Sequence, residues 1–290
     1  MRNEHEMLDL ILSFAKEEER VRAVIMNGSR VDPNAHRDIF QDYDIVFIVS
    51  DVDSFVRDRS WINKFGELII MQTPDAKKIQ SPGRMDKYAF LMLFTDGNRI
   101  DLTLYPEAKI DEFKAESLSA LLLDKDGKLK PFPAPSNQDH RMIPPTETEF
   151  ADCCNEFWWV STYIAKGLWR RELPYAKFMQ DHPVRKMLIL MLEWHIGIRS
   201  DFAVIPGKAG KYLEKYLEPE QWAAFVRTFP DAEYGHMWQS LFAMGDLFRE
   251  TAREVANAFG YEYPIEDDQR VTAYLQHVSE LPQDAKGVYE

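Results

Sequence analysis

Cysteine is almost missing from this chain: among 290 residues only Cys153 and Cys154 carry a thiol, and they are adjacent. Neighbouring cysteines rarely bridge, because the geometry is strained. No disulfide framework is therefore expected, and two free thiols on a helix fit a reducing cytoplasm. Metal-type spacings of cysteine and histidine are absent as well. No run of eighteen apolar residues exists, which excludes a helical membrane span. The opening M-R-N-E-H-E-M is polar and unlike a secretory leader. Positive charge is also short, with 35 Lys and Arg against 48 Asp and Glu and a formal net charge of −13. Nucleic-acid binding rests on phosphate contacts from a basic surface, so nucleic acid is not the expected partner. An acidic cleft would attract a small cationic substrate; the same surplus of acids also serves plain solubility. A cytoplasmic, monomeric globular protein is expected.

What is present is organised in two halves, and 290 residues suffice for two cores. Prolines at 131, 133, 135, 144 and 145 stop regular structure and mark a linker. The expected domains are 1–135 and 136–290. Before the linker strands dominate: an amphipathic helix over residues 4–20, then strands at 21–26, 44–50 and 68–72. A Pro- and Lys-containing loop over 73–86 follows, then strands at 88–94 and 99–105 around the hairpin signal Asp96-Gly97. Short helices are expected at 61–65 and 107–117, and a strand over L-L-L-D before the Asp126-Gly127 turn. After the linker the apolar residues follow helical period. Thr146-x-x-Glu149 is a capping box opening a long helix. Further helices are expected over 174–198, interrupted near Pro183, then from Pro219 to Phe229, over 232–259 with Gly260 as C-cap, and over 267–281. The tail after Pro282 is expected to fray. No internal repeat occurs, and the apolar faces suggest a helical bundle.

The chemistry concentrates in residues 28–44, G-S-R-V-D-P-N-A-H-R-D-I-F-Q-D-Y-D. Gly28 and Ser29 follow the first strand: glycine lets a ligand approach the backbone, and serine offers a hydroxyl and an N–H to a phosphate oxygen. Asp42 and Asp44 open the next strand, where alternation points both the same way. Two carboxylates on one face repel unless a cation lies between them. Mg²⁺ is the usual oxygen-bound answer, and it normally arrives with substrate phosphates. Asp101, in R-I-D-L-T-L-Y, alternates with Ile100, Leu102 and Leu104 and so leaves the apolar face. Arg30 could reach a phosphate or be a surface cation.

This order of Gly-Ser turn, Asp-x-Asp and a third acid on a later strand resembles the nucleotidyltransferase superfamily of the polymerase-beta type. The resemblance implies two Mg²⁺ ions on the acids, holding a nucleoside triphosphate. An alcohol attacking the α-phosphate of ATP expels pyrophosphate, and metal ions with nearby cations carry most of that catalysis. Asp42 and Asp44 would be metal ligands, and Asp101 a ligand or the general base. Lys166 and Lys211, with Lys208 and Lys215 behind them, are candidates to meet the pyrophosphate, or else ordinary surface lysines.

The stretches G-S-R, F-Q-D-Y-D-I, D-G-N-R-I-D-L-T-L, L-L-D-K-D, D-C-C-N-E-F-W, T-Y-I-A-K-G-L, E-W-H-I and G-K-A-G-K-Y-L-E-K-Y-L resemble, in order and over nearly the whole chain, the aminoglycoside 6-adenylyltransferases. The resemblance implies an α+β protein: an N-terminal nucleotidyltransferase domain with a mixed sheet and flanking helices, and an all-α C-terminal domain. It implies ATP and Mg²⁺ as co-substrates and AMP transfer to the 6-hydroxyl of streptomycin. Streptomycin bears two guanidinium groups, which pair with carboxylates and stack on aromatic faces. Asp152 and Glu156, one helical turn apart, and Trp159 form the expected substrate wall, with Trp194 and His195 as second choices. The tryptophans would otherwise be core, and His195 a packed, hydrogen-bonded histidine. Another small-molecule or protein hydroxyl as acceptor, or a nucleotide-binding module without catalysis, are the alternatives.

Overall fold

Apolar–polar alternation in the N-terminal half builds one six-stranded mixed sheet in the computed structural model, which describes residues 1–76 and 87–289. Its strands are β1 (Val21–Asn27), β2 (Tyr43–Val49), β3 (Leu68–Gln72), β4 (Tyr88–Phe94), β5 (Arg99–Pro106) and β6 (Ser119–Asp124). Their spatial order is β3-β4-β5-β2-β1-β6. The β4–β5 pair is the hairpin whose turn holds Gly97 at φ +85°. Of the loop expected over 73–86, residues 77–86 lie outside the described residues.

The pairing that matters for chemistry is the parallel one between β2 and β5, which sets Asp44 opposite Asp101. On its other side β2 runs antiparallel to β1, with Asp44 opposite Asn27. β2 lies inside the sheet and is apolar from Ile45 to Val49, because both of its faces are covered. One face packs against helix α1 (Glu4–Glu17) through Met7 and Ile11, with Phe47, Phe90 and Leu102 in the same core. The other meets Tyr105, Ile110 and Phe113 through Val46 and Ile48. Asp44 is the polar exception at the mouth of this strand.

Two expectations for the first half of the chain are corrected here. A helix, α2 (Val52–Arg57), follows β2 where none was expected; the Asp51 side chain accepts from the Ser54 N–H and starts it. The helix expected over 107–117 is only a run of 3₁₀ turns, Glu107–Glu112, and the backbone is extended by Phe113.

The chain divides into two compact units, Met1–Asp139 and His140–Glu290. The second is helical: α3 (Glu147–Trp169), α4 (Leu173–Met179), α5 (Arg185–Ser200), α6 (Leu213–Tyr216), α7 (Pro219–Val226), α8 (Tyr234–Phe259) and α9 (Ile265–Glu280). The fold is thus α+β, with the sheet in one unit and helices in the other. The Thr146–Glu149 capping box starts α3, and Gly260, at φ +73°, closes α8. Between α4 and α5 the chain stays helical through a π turn, Gln180–Val184, that absorbs Pro183. Phe157 of α3 stacks on Phe248 of α8 at 3.8 Å in the centre of the bundle. The tail after Pro282 folds back rather than fraying: Gln283 donates to the Trp169 carbonyl at 2.9 Å, and the Tyr289 ring stacks on His277. Among the described residues no helix is long and apolar enough to cross a membrane.

Candidate active site

The turn after β1 is shaped by one close approach. Gly28 sits at φ +76°, and a Cβ there would lie 2.2 Å from the Asp44 Oδ2. Only glycine fits both the left-handed backbone and that gap. The Gly28 N–H donates to the Leu118 carbonyl at 3.0 Å, which ties the turn to the segment leading into β6. Ser29 Oγ accepts from the Gln41 side chain at 3.3 Å.

Arg30 departs from its expected roles. It is buried, with Nε donating to the Asp42 carbonyl at 2.9 Å and Nη2 to the Gln41 carbonyl at 2.6 Å. Its guanidinium lies 3.7 Å from the Tyr43 ring centre, and Nη1 is 3.4 Å from Glu4. With every nitrogen engaged, it is neither a surface cation nor a free phosphate ligand; it clamps the backbone that presents Asp42.

Asp42, Asp44 and Asp101 converge, one carboxylate oxygen of each lying within 4.8 Å of the others. Burial, then the charges of Asp42 and Asp101, push the Asp44 carboxyl up to about 6. Arg99 offers partial compensation, holding Asp101 through two hydrogen bonds of 2.7 Å while standing 3.9 Å from Asp42. One guanidinium facing three carboxylates leaves a surplus of hard oxygen donors. That donor set fits a divalent oxygen-loving cation such as Mg²⁺.

The helical unit holds the other candidates. Lys166 is half-buried, its ammonium 4.8 Å from the Tyr163 ring, and Lys211 is exposed, 4.8 Å from the Tyr212 ring. Asp152 and Glu156, both exposed on α3, line a cavity of about 570 Å³ together with Trp194 of α5. Trp159 stays outside that lining: it is 59% exposed and donates to the Tyr163 hydroxyl at 2.8 Å. His195 also falls away from the cavity lining. It is buried between Gln221 and Glu254, 3.2 Å from each, and burial holds its imidazole below the usual range. It is the packed, hydrogen-bonded histidine, and its second-choice role in the wall is corrected.

Comparison with known proteins gives these geometries a context. The model of the streptomycin adenylyltransferase family matches residues 1–278. The chain belongs to that family. An aminoglycoside 6-adenylyltransferase of Campylobacter jejuni is 42% identical over 93% of this chain and 93% of its own length. One from Bacillus subtilis is 38% identical over 96% and 98%. A crystal structure of an aminoglycoside 6-adenyltransferase from Bacillus subtilis, 35% identical, covers 97% of this chain and 100% of its own, at a TM-score of 0.48.

As a member of the streptomycin adenylyltransferase family the protein is a nucleotidyltransferase. Two residues beside its candidate sites escaped the sequence reading. Arg99 carried a signal, since an Arg-x-Asp on a strand puts both side chains on one face. Glu193, which lines the same cavity as Asp152 and Glu156, carried none, because its neighbours Leu192 and Trp194 are core residues.

Proposed function

We propose that this protein transfers AMP from ATP, bound with magnesium, to the 6-hydroxyl of streptomycin and releases pyrophosphate. The convergence of Asp42, Asp44 and Asp101 beside the Gly28–Ser29 turn carries the reading. When bound, Mg²⁺ would screen the triphosphate and make the acceptor hydroxyl more acidic. Asp42 and Asp44 would hold it, and Asp101 would be a third ligand or take up the hydroxyl proton. The bare backbone of Gly28 lets a phosphate come close, and Ser29 can donate to one of its oxygens. Arg30 acts indirectly, by fixing the carbonyl of Asp42. Lys166 and Lys211 would meet the negative charge of the departing pyrophosphate. The acceptor oxygen forms a bond to the α-phosphorus as the bond to the bridging oxygen of pyrophosphate breaks. For the cationic acceptor, Asp152, Glu156 and Trp194 are the proposed contacts, supported by their place on one cavity and by the names of the relatives.

The purified protein, incubated with ATP, Mg²⁺ and streptomycin, should yield pyrophosphate and a streptomycin–AMP adduct by mass spectrometry, and EDTA should stop both. Absence of product with streptomycin and related aminocyclitols would overturn the reading. An adduct bearing AMP on another hydroxyl, seen by NMR, would overturn the regiochemistry alone.

A further inference from the structure

Arg99 opens β5 two residues before Asp101, so strand alternation puts both side chains on one face. Its Nε and Nη2 donate to the two oxygens of Asp101, each at 2.7 Å, and Nε stands 3.9 Å from Asp42 Oδ2. Two parallel, charge-assisted bonds are the strong form of a guanidinium–carboxylate pair. Little else holds the side chain. Among the described residues its guanidinium makes no hydrogen bond except to Asp101, and the side chain is 47% exposed. Arg30 is the contrast, buried and locked to the carbonyls of Gln41 and Asp42. One arginine of the site is built in. The other can leave by turning its own side-chain torsions, with no change in the strand.

Charge decides when it leaves. Without metal, Arg99 offsets carboxylates whose oxygens lie within 4.8 Å of one another. Once a divalent cation shares Asp101, two positive charges sit on one carboxylate and repel. The divalent ion carries twice the charge and bonds hard oxygens directly, so the guanidinium is the partner that gives way. A triphosphate arriving with the metal brings oxygens that suit the same planar fork.

We propose that Arg99 is an exchangeable counterion: it pairs with Asp101 in the absence of metal, yields that carboxylate when magnesium-bound nucleotide enters, and pairs with the triphosphate instead. The proposal rests on the reading of the acids as a metal and triphosphate site and is independent of the acceptor. Arg99 then acts twice, with opposite signs. It competes with a bare metal ion, and it assists a metal–nucleotide complex. A residue that merely supported the strand would weaken or strengthen both together.

Two titrations of the full chain read the two signs. Manganese alone, followed by loss of the free-ion electron paramagnetic resonance signal, reads the competition. Magnesium with α,β-methylene-ATP, whose bridging carbon blocks transfer, reads the assistance by calorimetry. Arg99→Gln should bind manganese about fivefold more tightly than wild type and the nucleotide about tenfold more weakly. Arg99→Lys keeps the charge and loses the fork, so it should bind manganese like wild type and the nucleotide at an affinity between the other two. Circular dichroism verifies the folds. Manganese bound by Arg99→Gln no more tightly than by wild type, or nucleotide bound equally by the two, would overturn the proposal. Turnover separates it from the reading it rests on. If wild type adenylylates streptomycin and Arg99→Gln shows neither change in binding, the exchange fails and the transfer stands. If Arg99→Gln shows both changes and wild type makes no adduct, the exchange stands and the transfer fails.

Discussion

At Asp44 three influences act in one direction: burial, the charge of Asp42 and the charge of Asp101 all disfavour its ionised form, and its carboxyl is pushed up to about 6. A carboxyl whose value is raised on folding contributes stability below its ordinary range, and that contribution is lost as pH rises through about 6. Without metal the protein should therefore weaken between about pH 4 and about pH 6 on account of this residue. A shift of about two units corresponds to about 3 kcal/mol; solvent reaching the partly exposed carboxyl reduces that to about 1–2 kcal/mol. Asp44→Asn removes the repulsion and keeps the shape. In EDTA at pH above about 7 it should raise the unfolding free energy read from urea denaturation by about that amount, gain nothing in acid, and show no adenylyl transfer. A variant less stable than wild type at neutral pH would mean that the carboxylates are not in conflict. Added Mg²⁺ should stabilise wild type and leave Asp44→Asn nearly unmoved.

Between elements, the firmest polar join in the helical unit links α8 to α9. Asp268 is buried at the start of α9 and accepts two hydrogen bonds from Arg249 of α8, at 2.6 and 2.7 Å. The Tyr263 hydroxyl at 2.9 Å and the Thr272 hydroxyl at 3.1 Å complete its shell. Burial alone would raise this carboxyl, but the hydrogen bonds from Arg249 and Tyr263 hold it below the ordinary range. Its stabilisation is therefore present at neutral pH and fades as pH falls through the acid range. Asp268→Asn leaves Arg249 without its main partner. Breaking a buried pair costs about 3–5 kcal/mol, and the remaining Asp246 contact at 2.8 Å should hold the loss to about 2–3 kcal/mol. Thermal melts at pH 7 should show that loss and melts in strong acid much less of it. The KM for ATP of the folded fraction should not change.

What the sequence made legible at this scale was whatever local chemistry decides. The Asp96-Gly97 hairpin, the Thr146 capping box and the glycine stop after α8 each rest on a few adjacent residues, and each stands where expected. Alternation likewise revealed that Asp44 and Asp101 leave the apolar faces of their strands. The parallel register that sets them side by side was not legible, because β2 and β5 are joined by two intervening strands and nothing local fixes their pairing. Short elements were lost for a related reason. α2 spans six residues, too few to show a helical period, and its sign was only the Asp51 cap. Arg30 misled because an arginine beside a Gly-Ser turn looks available, while its burial depends on Tyr43 and Glu4.

Over the whole molecule the dominant quantity is the net charge of −13, whose field extends beyond any single contact. Such a field draws a polycationic antibiotic inward and holds back an anionic nucleotide, and salt weakens both effects as the Debye length falls from about 14 Å at 0.05 M toward about 4 Å at 0.5 M. The KM for streptomycin should then rise several-fold between about 0.05 M and about 0.5 M NaCl, the KM for magnesium-bound ATP should stay level or fall, and kcat should change little. Steady-state kinetics at fixed pH across a salt series reads all three. The opposite signs for the two proposed substrates matter, since a general inhibition by salt would raise both. If neither KM moved, the acids at a distance would serve solubility alone, and capture of the antibiotic would depend only on short-range pairing with carboxylates such as Asp152 and Glu156.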